Sequence, residues 1–270
     1  VDIQPEKTHT RINFYDNILW GLFYGGLLIL AIYNFVLYFG HRERSLLAYV
    51  GYISTVIVWQ FVWGGHLQVL FPHGFTQWLS QHMDLIFVII GIGSGVFTYT
   101  FLDAPEKAPK TTPIIKLNIL TLFVLGVCST LNLLPPLWQN GLVYLVSILA
   151  ISSYMFAGFE SFFNNFKPAK YFIFAWSILA TSALIGMLSL VGVFPSNFFT
   201  TYCFQVGVFL ESSLFSIALM EKSRSQLEYD VEQATNDLHN NMELIEEQNV
   251  RLDIARKDAI FLIETHTQIP

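Results

Sequence analysis

The stretch QVGVFLESSLFSIALMEKSRSQLEYDVEQATNDL, residues 205–238, changes character near its middle. Up to Met220 it is mostly apolar and carries a single charged residue, Glu211. After Met220 it is polar and acidic, and apolar residues recur at spacings of four and three. Residues 208–269 contain neither Gly nor Pro, so nothing in that run favours a break in a helix. The pattern predicts a membrane-spanning helix that continues directly into a coiled-coil helix.

The composition is that of an integral membrane protein. Of the 270 residues, 53% are hydrophobic and 13% are charged, whereas a soluble domain carries about 25% charged residues. The net charge of −6 lies in the tail, because residues 221–270 hold 11 acidic and 5 basic side chains. That acidity argues against nucleic acid as a partner.

Seven apolar stretches are long enough for spanning helices, which need about 20 residues each. They cover residues 17–40, 45–69, 79–102, 113–134, 138–162, 170–193 and 198–220. We therefore predict an all-α membrane protein that is a seven-transmembrane helix bundle, followed by a parallel coiled-coil helix.

The basic residues of the loops predict the orientation, since Lys and Arg favour the cytoplasmic side. The second, fourth and sixth loops carry none. The first, third and fifth loops carry Arg42, Arg44, Lys107, Lys110, Lys167 and Lys170. We expect the N-terminus outside, the C-terminus and the coiled coil in the cytoplasm, and the chain in a bacterial inner membrane.

Four parts are expected along the chain. Residues 1–12 are an extracytoplasmic tail or the end of a missing sensory domain, and residues 13–220 are the membrane domain. Residues 221–263 are the cytoplasmic coiled coil, and residues 264–270 begin a missing output domain. Because the chain starts at Val1 and no signal peptide is visible, we expect a fragment or a mature chain.

The heptad seam of the tail predicts a parallel homodimer. Its members are Leu227, Val231, Leu238, Asn241, Ile245, Leu252 and Leu262. Asn241 is a polar residue at a d position, which lowers stability but can fix register and partner number. The alternative is an amphipathic helix folded back on its own chain or the membrane. Its acidic surface disfavours contact with anionic lipid.

Polar residues near the predicted outer boundary are candidates for sensing. His66, His82 and Asp84 are candidates to line an outward-facing ligand pocket or to contact a sensory domain. Ordinary interfacial polar residues are the favoured interpretation. A metal site has weaker support, because no HExxH motif occurs and the histidines lie on different elements. We expect no metal and no cofactor.

An ionisable side chain at membrane depth suggests a functional role. Glu211 lies near the middle of the seventh span, with Gln205 above it, and should face the bundle and bond to a group such as Asn34. These three residues are candidates for signal relay, and a structural interhelical hydrogen bond is the alternative. Glu160 is expected to reach the headgroups or Lys167 at the inner end of the fifth span.

Motifs at both ends of the membrane domain resemble a known family. The first span and its exit carry GLFYGG at 21–26, AIYN at 31–34 and HRER at 41–44. The second span carries Tyr49, Tyr52 and Gly64-Gly65, and the last carries GVFLE at 207–211 with Leu214, Ser216, Ala218 and Leu219. Residues 14–222 resemble the bacterial seven-transmembrane receptors with diverse intracellular signalling modules. The resemblance implies a sensory domain before the first span and a cyclase, kinase or phosphatase output after the coiled coil.

The last seven residues, Glu264–Pro270, are similar to the entry of diguanylate cyclase domains, Asp-x-Leu-Thr-x-Leu-Pro. They depart from it at Glu264 and His266. A histidine-kinase box around His266 is the competing interpretation, but it needs one more residue on each side of the histidine. The sequence contains the active site of neither enzyme, so we expect no catalysis by this chain.

Three functions compete for this sequence. A signal-transducing receptor is favoured, because the seventh span passes without interruption into the heptads. A transporter or channel would need several charges along one membrane pathway and broken helices at the midplane. A membrane-embedded hydrolase would need His and Asp residues as metal ligands.

Overall fold

The protein is described by a computed structural model that defines the backbone of residues 6–67 and 71–267 and the side chains of residues 16–67 and 71–257. The described residues form α-helices joined by short turns and contain no β-strand. In chain order the helices are α1 Glu6–His41, α2 Arg44–Trp63, α3 His73–Gln81, α4 Met83–Phe101, α5 Ala104–Lys107, α6 Thr112–Thr130, α7 Pro136–Phe163, α8 Ala169–Leu190 and α9 Phe198–Thr267. The chain divides into two compact units between Glu221 and Lys222.

Seven helices in the described part of the chain are long and apolar enough to cross a membrane, namely α1, α2, α4, α6, α7, α8 and α9. The predicted all-helical, multi-pass bundle is confirmed at this level. Helices suit this setting because lipid offers no hydrogen-bond partners, so each backbone N–H and C=O must be satisfied inside the element.

Several helix ends differ from the predicted spans. α1 begins at Glu6, well before residue 17, and α2 ends at Trp63 rather than at residue 69. Residues 79–81 belong to the separate short helix α3, and His82 breaks the chain before α4 with φ −119° and ψ 43°. α6 ends at Thr130 rather than at residue 134.

Left-handed residues end the first six spans. A positive φ occurs within two residues of each helix end, at Arg42, Gly65, Asp103, Asn132, Asn165 and Gly192. At the end of α6 the N–H of Asn132 donates to the carbonyl of Ser129, and the N–H of Leu133 donates to the carbonyl of Cys128 at 2.9 Å. This is the Schellman arrangement, which satisfies carbonyls that the helix itself leaves without donors.

The helix α4 lies at the centre of the membrane unit. It packs against α2, α6 and α7, and 56% of its most apolar window is buried, more than in any other described span. The neighbouring pairs α1–α2, α6–α7 and α7–α8 complete the surrounding layer. Large apolar side chains on the outer faces remain exposed, as expected for surfaces that contact lipid.

The helix α9 begins with a cap formed by two side chains. The amide of Thr200 donates to Asn197 Oδ1 at 3.1 Å, and the amide of Asn197 donates to Thr200 Oγ1 at 2.9 Å. This reciprocal pair satisfies two backbone donors at the helix start, as a capping box does.

The second unit continues α9 from Lys222 to Thr267. Ion pairs four residues apart line its surface, such as Arg251 with Glu247 at 2.6 Å and Lys257 with Asp253 at 2.8 Å. The seam residues are exposed in this single chain, namely Leu227, Val231, Leu238, Asn241, Ile245 and Leu252. Leu262 lies outside the described side chains. Pairing through the seam therefore stays a prediction.

Candidate functional site

A buried hydroxyl–carboxyl contact joins α2 to α9. The Tyr52 hydroxyl donates to Glu211 Oε1 at 2.6 Å. The Ser212 hydroxyl lies 3.4 Å from Glu211 Oε2 and donates to it weakly. Tyr52 is 3% exposed and Glu211 is fully buried, so this contact lies inside the bundle and not at its lipid surface.

A second tyrosine of α2 fastens the next residue of α9. The hydroxyl of Tyr49 donates to the backbone carbonyl of Ser212 at 2.7 Å. Tyr49 and Tyr52 are three positions apart and therefore share a face of α2. The two tyrosines thus hold adjacent residues of α9, one through a side chain and one through the backbone.

A third polar contact joins α1 to α9. Asn34 is fully buried, and its Nδ2 donates to Ser216 Oγ at 2.8 Å and to the Leu30 carbonyl at 2.9 Å. The suggestion that Glu211 bonds to Asn34 was wrong, since Tyr52 is the partner of Glu211. Both residues face the bundle from the membrane spans, but each meets a different partner.

An aromatic layer surrounds these polar contacts. Phe97 of α4 stacks on Tyr52 with ring centroids 5.8 Å apart, and it meets Phe215 of α9 edge-on at 4.8 Å. Phe172 of α8 lies 5.5 Å from Phe215. Packed rings exclude water from the carboxyl group, so its hydrogen bonds are made in an apolar setting.

The energetics favour keeping the Tyr52–Glu211 contact in one arrangement. Interhelical hydrogen bonds in membrane bundles contribute about 0.6 kcal/mol on average and about 1.7 kcal/mol at most. Leaving a buried polar group without a partner costs about 1–3 kcal/mol. If α9 moves relative to α2, Glu211 therefore needs a new hydrogen-bond partner, or the Tyr52 side chain has to move with Glu211.

Gln205 lies outside this network. It is half-buried on α9, and its Oε1 atom is buried with no hydrogen-bond partner among the described residues. It borders a cavity that Trp59 and Trp63 also line. The structure thus separates Gln205 from Glu211 and Asn34, with which the sequence had grouped it.

His66 belongs to an aromatic cluster with α1. Its Nδ1 atom lies 3.2 Å from the Tyr24 hydroxyl, and its ring lies 4.9 Å from the ring of Trp20. These contacts tie the turn after α2 to the first span. No described hydrogen bond or ring contact joins His66 to the other two candidate sensing residues.

His82 and Asp84 lie at the start of α4 but have separate surroundings. The ring of His82 stacks on Trp78 at 4.8 Å, and its Nδ1 lies 2.9 Å from the Trp78 carbonyl. Asp84 is 4% exposed, and its Oδ2 has no partner among the described residues. Within residues whose side chains are described, no group of three or more His, Cys, Asp or Glu is placed to hold a metal ion.

Glu160 caps a neighbouring helix, and no described hydrogen bond or ion pair joins it to Lys167. Its carboxylate accepts from the backbone amides of Lys110 and Thr111 at 2.9 and 3.0 Å, and from the Thr111 hydroxyl at 2.8 Å. Those amides lie at the N-terminus of α6, where a negative charge is favoured. The end of α7 is thereby fastened to the start of α6.

Sequence reasoning missed the tyrosine and serine partners of Glu211. Tyr49 and Tyr52 were noted for their resemblance to a family, but no role was given to either. The spacing held a signal, because two tyrosines three apart form a polar pair on one face of an otherwise apolar helix. Ser212 and Ser216 of α9 are four positions apart and therefore share a face of that helix.

The fold and these contacts define a multi-pass, all-helical membrane protein whose last span is hydrogen-bonded to its first two. The chain belongs to the family described as 7TM diverse intracellular signalling, whose model matches residues 16–222. The family resemblance seen in the sequence is confirmed, and the match supports a transmembrane receptor that acts in signalling. No curated protein and no solved structure matches the chain.

Proposed function

We propose that this chain is the membrane and signalling-helix part of a receptor that relays an extracytoplasmic stimulus through α9. The stimulus changes the packing of the bundle, α9 shifts or rotates, and the helix carries that change to a cytoplasmic output domain of the full-length protein. The observation that carries the proposal is the buried contact of Tyr52 with Glu211, supported by Tyr49 on Ser212.

The contact suits a two-state relay for a physical reason. Packed interfaces repack between discrete arrangements and do not deform continuously. A carboxyl group that must always have a partner allows few arrangements of α9 against α2. Glu211 and Asn34 are the proposed relay residues. Gln205 stays a candidate for signal relay, although it lies outside their hydrogen bonds.

The tail is proposed to act as a parallel homodimer. Its apolar residues at heptad spacing are exposed in one chain, and burying them against a second copy removes apolar surface from water. Asn241 on the seam is expected to fix the register. A seam with polar residues gives a weaker coiled coil, and a weaker coiled coil can shift between registers.

The charge pattern and the last residues support proposals for the orientation of the receptor in the membrane and for the domains that flank it. The basic loops support an N-terminus outside a bacterial inner membrane. Residues 264–270 favour a diguanylate cyclase output over a histidine kinase, although residues 268–270 lie outside the described part of the chain. A sensory domain ahead of α1 would contact the surface near His66, His82 and Asp84. We propose no catalytic step, metal or cofactor for this chain.

Cysteine cross-linking in membranes tests the dimer and the relay together. In a Cys128→Ser, Cys203→Ser background, Leu238→Cys at a seam position should form disulfide dimers much faster than Asn236→Cys on the opposite face. Equal rates would exclude a parallel pair in the predicted register. Tyr52→Phe and Glu211→Gln should alter the Leu238→Cys rate, whereas Tyr144→Phe should not.

Insertions test whether α9 transmits its movement to the output domain as one continuous, rigid helix. Each inserted residue turns the following helix by about 100°, so one to four alanines after Met220 should change the output of the full-length protein periodically. Constant output across the series would refute the relay. Ion flux through the purified protein in liposomes would instead support the transporter or channel alternative.

A further inference from the structure

The membrane part of α9 leaves one narrow face uncovered by its own bundle. Between residues 206 and 220, whose side chains are all described, most of the helix surface is buried, as at Val208, Ser212 and Leu219. The uncovered face, here called the membrane stripe, consists of Val206, Leu210, Ser213, Ile217 and Met220. Its four apolar members are between 44% and 54% exposed, and Ser213 is partly exposed. Within this segment, Phe209 is the one other exposed residue, at 38%.

The membrane stripe continues the heptad frame of the tail. In the tail, Val231 and Leu238 take a positions and Leu227 takes a d position. Counting back along the sequence in sevens gives a positions at Leu210 and Ile217, and d positions at Val206, Ser213 and Met220. Arg224 takes the a position between the two stretches, where a long basic side chain can reach the headgroups.

Two different properties define this one frame. In the tail, the frame comes from the spacing of apolar residues in a polar sequence. In the membrane segment most residues are apolar, so hydropathy selects no face, and the stripe is defined by exposure alone. Lipid against the stripe gives no reason for exposure to follow the frame of the tail, whereas a continuous seam between two copies does.

A parallel pair of tails would bring two copies of α9 close together at the inner end of the membrane segment. Helices that pack against each other lie with their axes about 8–10 Å apart. Ser213 lies in the middle of the stripe, and a small residue there lets two backbones approach closely in lipid. Its hydroxyl donates to the Phe209 carbonyl at 2.7 Å, so a second copy can cover Ser213 without leaving that donor unpaired.

Grooves on both sides of α9 leave room for a partner helix. The groove toward α8 has a volume of about 660 Å³, and the groove toward α1 has a volume of about 290 Å³. Val206 and Leu210 line both grooves and therefore form a ridge between them. Under two-fold symmetry, the ridge of each copy can enter a groove of the other.

We propose that the membrane stripe packs against the same stripe of a second copy, so that the dimer seam runs from the tail into the bilayer. This contact rests on the parallel tail dimer of the proposed function, and it adds an interface between the membrane units that the tail alone does not require. Glu211 and Ser212 lie on the buried side of α9. One helix thus carries the relay contact to its own bundle and the stripe to its partner, and rotation of α9 would change both.

Cysteine cross-linking of the full chain in membranes tests this interface. In the Cys128→Ser, Cys203→Ser background, Leu210→Cys and Ile217→Cys should form disulfide dimers with copper–phenanthroline about tenfold faster than Ile148→Cys, because a standing contact raises the effective concentration of the thiols. Ile148 is the matched control, since it is 63% exposed and faces away from α9 on α7 in sequence frame alone. Ile148 and Leu210 each lie twelve residues after the first residue of their helices.

Substitution of Ser213 gives a second readout. Ser213→Trp puts a large side chain at the point of closest approach, so the dimer should weaken about fivefold or more. Energy transfer between labelled copies in liposomes, over a range of protein-to-lipid ratios, measures this change. Ser152→Trp on α7 is the matched control, because its hydroxyl is also exposed and also donates to the carbonyl four residues before it. Circular dichroism checks that both variants fold.

The outcomes separate this interface from the tail dimer. If Leu238→Cys cross-links rapidly while the two stripe cysteines are no faster than the α7 control, lipid covers the stripe, and the interface is wrong although the tail dimer stands. If the stripe cysteines cross-link rapidly and Leu238→Cys does not, the interface stands and the register of the tail is wrong. Equal effects of Ser213→Trp and Ser152→Trp would overturn the stripe as the contact.

Discussion

Tyr52 on α2 and Glu211 on α9 are 159 positions apart in sequence, yet their side chains meet at 2.6 Å inside the bundle. Neither side chain is accessible from the bundle surface, since their exposures are 3% and 0%. The Glu211 carboxyl group thus receives its short hydrogen bond from one tyrosine, and the contribution of that bond to the stability of the protein can be measured.

Tyr52→Phe should destabilise the protein by about 1–3 kcal/mol, because it leaves a buried carboxyl oxygen without its donor. Denaturant unfolding in bicelles, followed by circular dichroism, would measure the change. Tyr144→Phe is the control, since Tyr144 is 42% exposed. A Tyr52→Phe variant as stable as the control would show that the hydrogen bond contributes nothing measurable.

Removing the Glu160 carboxylate should loosen the start of α6. Glu160→Ala takes the acceptor away from the amides of Lys110 and Thr111, which should cost about 1 kcal/mol, as the loss of a helix cap does. Hydrogen exchange of the peptide that contains residues 108–114 should speed up in this variant. Glu106→Ala, at an exposed position on α5, should leave that peptide unchanged.

A side chain at Gly207 should force α8 and α9 apart. A Cβ there would lie 1.8 Å from Ser182 Oγ and 2.4 Å from its Cβ, so Gly207→Ala should cost about 1–3 kcal/mol through overpacking. Adding Ser182→Gly should recover most of that loss. Gly21→Ala is the control, because nothing lies within 4 Å of the position its Cβ would take. Thermal unfolding of the four proteins gives the comparison.

Gly192, the left-handed residue after α8, should not tolerate alanine well. Gly192 has φ +80°, where a side chain is strained by roughly 1–2 kcal/mol. Gly192→Ala should therefore lower the unfolding free energy. Gly186→Ala near the end of α8, where a Cβ meets only ordinary contacts, should instead be neutral or stabilising. Equal effects at both positions would contradict the role given to Gly192.

The seven spans could be predicted because lipid imposes a length and an apolar character on each helix. Their ends could not, because apolar residues continue past the turn. Leu133 and Leu134 follow the left-handed Asn132 and still look like helix α6 in the sequence. Hydropathy records where a residue prefers to lie, and it does not record the backbone angle that stops a helix.

The burial of Glu211 inside the bundle was predictable, but its partner was not. Counting residues along a span gives the height of a side chain in the membrane. The direction in which it points depends on how α9 packs against α1 and α2, and that packing arises from contacts far apart in the chain. The same limit applies to Glu160, whose partners Lys110 and Thr111 come just before α6 and lie 50 and 49 positions away in the sequence.

If the tail pairs as proposed, the exposed apolar row on the second unit makes the fraction of paired molecules depend on how densely they populate a membrane. Leu238 and Leu252 are 62% and 67% exposed in one copy, and a second copy can cover them only by association. Association depends on concentration, and for molecules confined to a bilayer the relevant concentration is copies per area. Sparse and crowded membranes of the same cell would then hold different proportions of single and paired molecules, with no change in the stimulus.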